Sequence, residues 1–114
     1  MVSVSSNALS GLYASEKRLS TAAENIANAD VIGFKAKDVA QSTNDNGGVA
    51  TSVVNRNPAT VTVPDGNGGT VEKPNVSLDE EVIQADIATY SAKANIIVLK
   101  AQDKMDKYLL DIQA

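Results

Sequence analysis

The chain has no cysteine, no histidine and no tryptophan among its 114 residues, and a single phenylalanine. Without cysteine there is no disulfide framework and no thiolate metal site. Without histidine the commonest general base and metal ligand is gone, and with it any Ser-His-Asp or Cys-His constellation. Aromatics supply 4% of residues against 43% apolar overall, so a core must be assembled from Ala, Val, Ile and Leu. That suits helix packed on helix. No apolar run approaches the roughly 18 residues of a membrane span. Met1 to Asn7 lack the basic region and apolar stretch of a cleaved export signal. The net charge of −4 and sequence pI near 4.6 argue against nucleic acid or an anionic membrane surface as a partner.

What the chain does have is a long periodic stretch at its C-terminal end. From Ser77 to about Ile112, apolar residues fall at Ile83, Ile87, Tyr90, Ala94, Val98, Ala101, Met105, Tyr108 and Ile112. Gaps of three and four residues mark one face of a helix. Ser77-Leu78-Asp79-Glu80 reads as a capping box, and Pro74 stops helix from running further upstream. Asp79, Glu80 and Glu81 sit at the positive end of the dipole, and Lys100, Lys104 and Lys107 lie toward the other end. Such a helix would be roughly 50 Å long. Ile96, Ile97, Val98 and Leu99 point to four sides of it, and Ala85, Ala88, Ala92, Ile96 and Leu99 form a second, weaker stripe. A helix apolar around so much of its girth calls for several neighbours.

A first helix begins near Ser5 or Ser6. Val2, Leu9 and Ala23 occupy one heptad position and Leu12, Leu19 and Ile26 the other, a short coiled-coil-like seam. Ala8, Ser15, Ala22 and Ala27 flank it and allow close approach. The expected fold is mainly α: two long terminal helices pair as an antiparallel coiled-coil-like hairpin, with a small β insert between them. Residues 1–35 and 77–114 form one structural domain, and 36–76 are the β-rich insert and linker. Val49 to Val54, Ala59 to Val63 and Thr70 to Glu72 read as short strands. Asn44-Asp45-Asn46-Gly47-Gly48 and Asp65-Gly66-Asn67-Gly68-Gly69 read as turns, the first a flexible tip. Within the hairpin, Leu9, Leu12, Leu19 and Ile26 are expected to meet Ile83, Ile87, Tyr90, Ala94 and Val98. That leaves Ile96, Ile97, Leu99, Leu109 and Leu110 for other subunits.

Little in the chain carries chemistry. Asp65-Gly66-Asn67 opens like a calcium loop, but its later glycine falls on Thr70 and its closing glutamate on Val76, so a plain turn is expected. Ser91 and Lys93 point apart on a helix and make no dyad. Asn25, Asn28 and Asn95 have two readings: hydrogen bonds between subunits, or helix-end and surface polar groups. No cofactor, metal or catalytic residue is expected.

The segment after the first helix resembles a known family. Asn25-Ile26-Ala27-Asn28-Ala29, a short turn, and then Gly33-Phe34-Lys35 are similar to the signature of bacterial flagellar axial proteins. Val31 and Ile32 stand where that family usually has Thr or Pro. Pro64, Asp65, Gly69 and Val71, then Pro74-Asn75-Val76, then Glu80 and Glu81, look like the proximal rod member in order, with Thr70 in place of an aromatic. Ala94-Asn95-Ile96-Ile97-Val98-Leu99 with Met105 beyond resembles the family's C-terminal segment, with Ala92 where an aromatic is frequent. The likeness covers most of the chain except about Lys37 to Val63. It implies a structural subunit of the basal-body rod that assembles with copies of itself and with other rod proteins. It also implies passage through the flagellar type III export apparatus without a cleaved signal, and a periplasmic location. The alternative is a cytoplasmic helical-hairpin adaptor or export chaperone that forms a small oligomer.

Overall fold

The computed structural model describes residues 4–113. Two helices, α1 (Val4–Ala27) and α2 (Leu78–Gln113), enclose four strands in sequence: β1 (Lys37–Thr43), β2 (Val49–Asn55), β3 (Thr60–Pro64) and β4 (Thr70–Pro74). The helices run antiparallel. Arg18 Nη2 donates to Gln84 Oε1 at 2.9 Å, and Gly11 lies against Asn95. At about 1.5 Å per residue α1 is about 36 Å long and α2 about 54 Å. α2 therefore outruns α1, and every described residue after Gln102 is exposed.

The side of α2 turned to α1 is the weaker of its two apolar stripes. Ala88 is buried, and Ala85, Ala92, Asn95, Leu99 and Gln102 are half-buried. Facing them, α1 buries Ala8, Ser15 and Ala22. The stronger stripe points away: Ile83 is 56% exposed and Tyr90 72% exposed, and Ile87, Ala94 and Val98 are exposed too. The pairing expected for those five residues is thus corrected. On α1, Leu12 is half-buried while Leu9, Leu19 and Ile26 are exposed; Val2 lies outside the described residues. Leu99, expected at a subunit interface, instead lies in the seam, whereas Ile96, Ile97, Leu109 and Leu110 are exposed.

The physical reason is backbone distance. Small residues let two helix axes approach closely, and close approach multiplies weak contacts along the whole seam. A Cβ added at Gly11 would stand 2.7 Å from Asn95 Nδ2, so the Asn95 side chain packs into the space that glycine leaves. Placing isoleucine and tyrosine in the seam would hold the axes apart and forfeit the contacts of Ala8, Ser15 and Ala22.

β1 and β2 pair antiparallel from Lys37↔Asn55 to Thr43↔Val49 and lie along α1. The turn is closed by Asn44 N to Gly48 O at 3.1 Å and Gly47 N to Asn44 O at 3.0 Å. It is docked rather than loose: Gly47 and Gly48 approach Asn7 and Ser10, and Val49 N donates to Ser10 Oγ at 3.1 Å. β3 and β4 form a second antiparallel hairpin, Thr60↔Pro74 to Pro64↔Thr70, which packs broadly on neither helix. Its turn uses Asp65, whose Oδ1 accepts from Asn67 N at 2.7 Å and Gly69 N at 3.1 Å. The described residues form an elongated body of 78 × 25 × 14 Å.

The stripe placement generates a paired test. Leu99→Asp, in the seam, should lower unfolding free energy by about 2–4 kcal/mol, because it removes apolar packing and half-buries a carboxylate. Ile97→Asp, 66% exposed, should change it by less than about 0.5 kcal/mol. Urea midpoints of the two variants, followed by helical circular dichroism in dilute solution, decide it. Equal losses would contradict the placement.

Candidate assembly interface

Two features define the candidate site: a corner where both helices and both hairpins meet, and the apolar stripe of α2 that the corner positions. The corner begins at Asn25, whose side chain is fully buried. Its Nδ2 donates to Lys37 O at 2.8 Å, and its Oδ1 accepts from Lys37 N at 3.0 Å. A primary amide carries a donor and an acceptor side by side, as a strand residue does, so Asn25 pairs with the first residue of β1 like a short piece of neighbouring strand. Asn28 closes the helix end through Nδ2 to Glu24 O at 2.9 Å. Gly33, at φ +85°, turns the chain so that its N–H reaches Glu72 O at 3.0 Å, a conformation that costs glycine little. Phe34 is half-buried, with Lys37 Nζ 5.9 Å from its ring centre. Ala36, fully buried, donates to Ala59 O at 3.0 Å.

Pro74-Asn75-Val76 completes the corner from the other side. Asn75 N also reaches Ala59 O at 3.0 Å, and Asn75 Nδ2 donates to Pro58 O at 2.9 Å. Pro74 is buried and its carbonyl accepts from Val76 N at 2.9 Å. The residues of the N-terminal signature and of the Pro-Asn-Val joint therefore converge in space, although about fifty positions separate them in sequence.

Arg56 is the residue sequence reasoning missed. Its Nε and Nη2 donate to Asp38 Oδ1 at 3.0 Å and 2.8 Å. Nη2 also reaches Glu81 Oε1 at 2.7 Å, and Nη1 reaches Asn75 O at 2.7 Å. The hydrogen bond to Asp38, outweighing the opposing effect of burial and joined by that to Glu81, holds the guanidinium above its ordinary value. Among the acids at the start of α2, Asp79 and Glu80 are exposed as helix-dipole charges would be, but Glu81 is buried. A fully buried acid in the first turn needs a cation, and Arg18 and Arg56 are the only arginines in the chain. An open groove of about 530 Å³ runs beside this cluster, lined by Arg18, Ala22, Val39, Arg56, Glu80 and Ile83. Its arginines are already committed to Gln84, Asp38 and Glu81. Among the described residues every buried side-chain polar atom has a partner, and no cluster of acids has the makings of a metal site.

The second feature is the outer face of α2. Ile83, Ile87, Tyr90, Ile97 and Val98 are exposed beside the hairpin, and Met105, Tyr108, Leu109, Leu110 and Ile112 continue along the overhang, where Ile112 is 80% exposed. Tyr13 and Leu19 add exposed apolar surface on α1. A run of exposed apolar side chains of this length exceeds the scattered exposure of ordinary surfaces. Asn95 is half-buried in the seam opposite Gly11, while Asn25 and Asn28 spend their amides within the chain.

Residues 6–35, which span α1 and the turn through Gly33-Phe34-Lys35, match the family model described as flagella basal body rod protein. That match supports the flagellar rod protein family. No curated protein gives a significant match to the chain. No helix among the described residues is long and apolar enough to cross a membrane.

Asn25→Ala should cost about 2–3 kcal/mol of stability, since it strips the backbone donor and acceptor of Lys37 of buried partners. Asn25→Asp should cost at least as much, because the lost Nδ2 donor is replaced by a buried oxygen facing Lys37 O. Denaturant midpoints at constant slope measure both. An Asn25→Asp variant as stable as the parent would rule out the bidentate pairing.

Proposed function

We propose that this chain is a structural subunit of the bacterial flagellar basal-body rod. It assembles through its helices with copies of itself and with other rod proteins, and catalyses nothing. The observation that carries the reading is the conjunction of two things: a rod-family match over residues 6–35, and an α2 whose strongest apolar stripe is turned away from its own hairpin partner. A subunit that leaves its best packing surface unused is built to be covered by neighbours. Head-to-tail contacts that do not close on themselves propagate into helical filaments, the geometry of a shaft. Within the rod the chain transmits torque, and its Pro74-Asn75-Val76 joint favours the proximal member of the family. It reaches the periplasm through the flagellar type III exporter without a cleaved signal.

The interface is assigned to Ile83, Ile87, Tyr90, Ile97 and Val98, and to the overhang from Met105 to Ile112. Coiled-coil pairing of these stripes is formed between subunits in this reading, while the small-residue seam stays within one.

The decisive experiment places Ile97→Asp in the chromosomal copy with an exposed tag. The variant should be made, remain soluble and leave the cytoplasm at parental level, yet be absent from purified basal bodies. Burying an unpaired carboxylate at a contact costs several kcal/mol, more than one interface among weak ones can absorb. Normal incorporation of Ile97→Asp would remove α2's outer face from the assembly surface. Retention of the parental chain in the cytoplasm, with the exporter intact, would favour an adaptor or chaperone instead.

A further inference from the structure

We infer that Arg56 is a positioning residue: it fixes the direction of the β3–β4 hairpin relative to the helix pair, separately from holding the fold together. The β3–β4 hairpin packs broadly on no other element, so its direction is set at its base alone. Two backbone bonds tie that base to the turn after α1, Gly33 N to Glu72 O and Ala36 N to Ala59 O. The amide of Asn75 bonds within the base itself, to Ala59 O and Pro58 O. Beyond the three-residue link Asn75-Val76-Ser77, the side-chain tie to α2 runs through one guanidinium. Arg56 holds Asn75 O, just past β4, with Nη1 at 2.7 Å, and Glu81 Oε1, in the first turn of α2, with Nη2 at 2.7 Å. It holds Asp38 in β1 with Nε and Nη2.

A planar fork whose donors diverge can bridge three segments at fixed angles. A lysine ammonium on a flexible stem cannot reproduce that, even with its charge intact. The helix seam and the β1–β2 contacts on α1 do not pass through Arg56, so they survive its loss provided no buried charge is stranded. Replacing a buried ion pair as a pair by apolar side chains is commonly tolerated. The consequence for a neighbour docking against both the insert and α2 rests on the rod reading; the positioning role is a property of the single chain.

The chain has no cysteine, which permits clean double spin labelling in the full-length protein at low concentration. Asn67→Cys with Asp86→Cys reports the hairpin tip against α2, and Lys17→Cys with Lys93→Cys reports the helix pair. Three backgrounds are compared: parental, Arg56→Lys, and the double variant Arg56→Met with Glu81→Leu, which leaves no carboxylate at position 81. The tip distance distribution should broaden about twofold in both variants while the helix-pair distribution and helicity stay unchanged. An unchanged tip distribution overturns the proposal. So does broadening of both distances together, which would make Arg56 a plain stabiliser of the fold. Restoration of the parental width by Arg56→Lys overturns the requirement for a fork. Each outcome is independent of whether the chain assembles into a rod.

Discussion

How closely two helix axes can approach governs this molecule. Small residues, with Asn95 and Leu99 among them, occupy the seam, so α1 and α2 approach closely, and the bulky side chains of Ile83, Ile87 and Tyr90 are turned outward. The price of that arrangement is a thin interior. Among the described residues, and Pro74 aside, the buried apolar side chains are all alanines: Ala8, Ala14, Ala22, Ala36 and Ala88. At about 25 cal/mol per Å², alanine side chains contribute little against a backbone ordering cost of about 1–2 kcal/mol per residue. The chain on its own lacks the buried area of an ordinary domain of its length, and the missing area stands ready on the outer face of α2.

Polar groups supply what the apolar interior does not. At the corner, Asn25, Asn28 and Asn75 act as pieces of backbone, closing a strand edge, a helix end and a hairpin base. Asn25 sits where the main-chain groups of Lys37 would otherwise be partly buried without it, a costly state. Ala59 O illustrates the economy of the design, accepting from both Ala36 and Asn75. The asparagines of the corner thus act in backbone satisfaction. They hold one joint, and the joint aims the helices.

Much of this was legible in the sequence, and the failures have distinct causes. The period of α2, its start after Ser77 and the β2 and β3 strands follow from spacing, the position of Pro74 and Val/Thr content, while Ser77 joins the helix through its carbonyl, which accepts from Glu81 N. The outward direction of Ile83, Ile87 and Tyr90 does not. Hydrophobicity ranks side chains by their gain on burial but carries no information on how far apart two axes will settle; Ala8, Ser15 and Ala22 signal that a close approach is possible, but not that the bulky stripe of α2 turns away from it. β1 was invisible because Lys37-Asp38-Val39-Ala40-Gln41-Ser42-Thr43 has little strand preference of its own. It becomes a strand because Asn25 pins Lys37 and β2 supplies the ladder. Arg56 and Glu81 escaped because their link spans 25 residues, and one end of it lies in the insert, where the resemblance to the rod family is silent.

The choice of amides and a guanidinium at the corner also bears on acidity. Asparagine side chains and backbone N–H groups carry no proton that leaves or arrives in the neutral range. The guanidinium of Arg56 is held in its charged form by Asp38 above its ordinary value, and no histidine is present to switch. Every hydrogen-bond donor that shapes the joint is therefore the same group in a mildly acidic medium as in a mildly alkaline one. A joint built this way keeps its donor pattern when the surrounding medium changes pH.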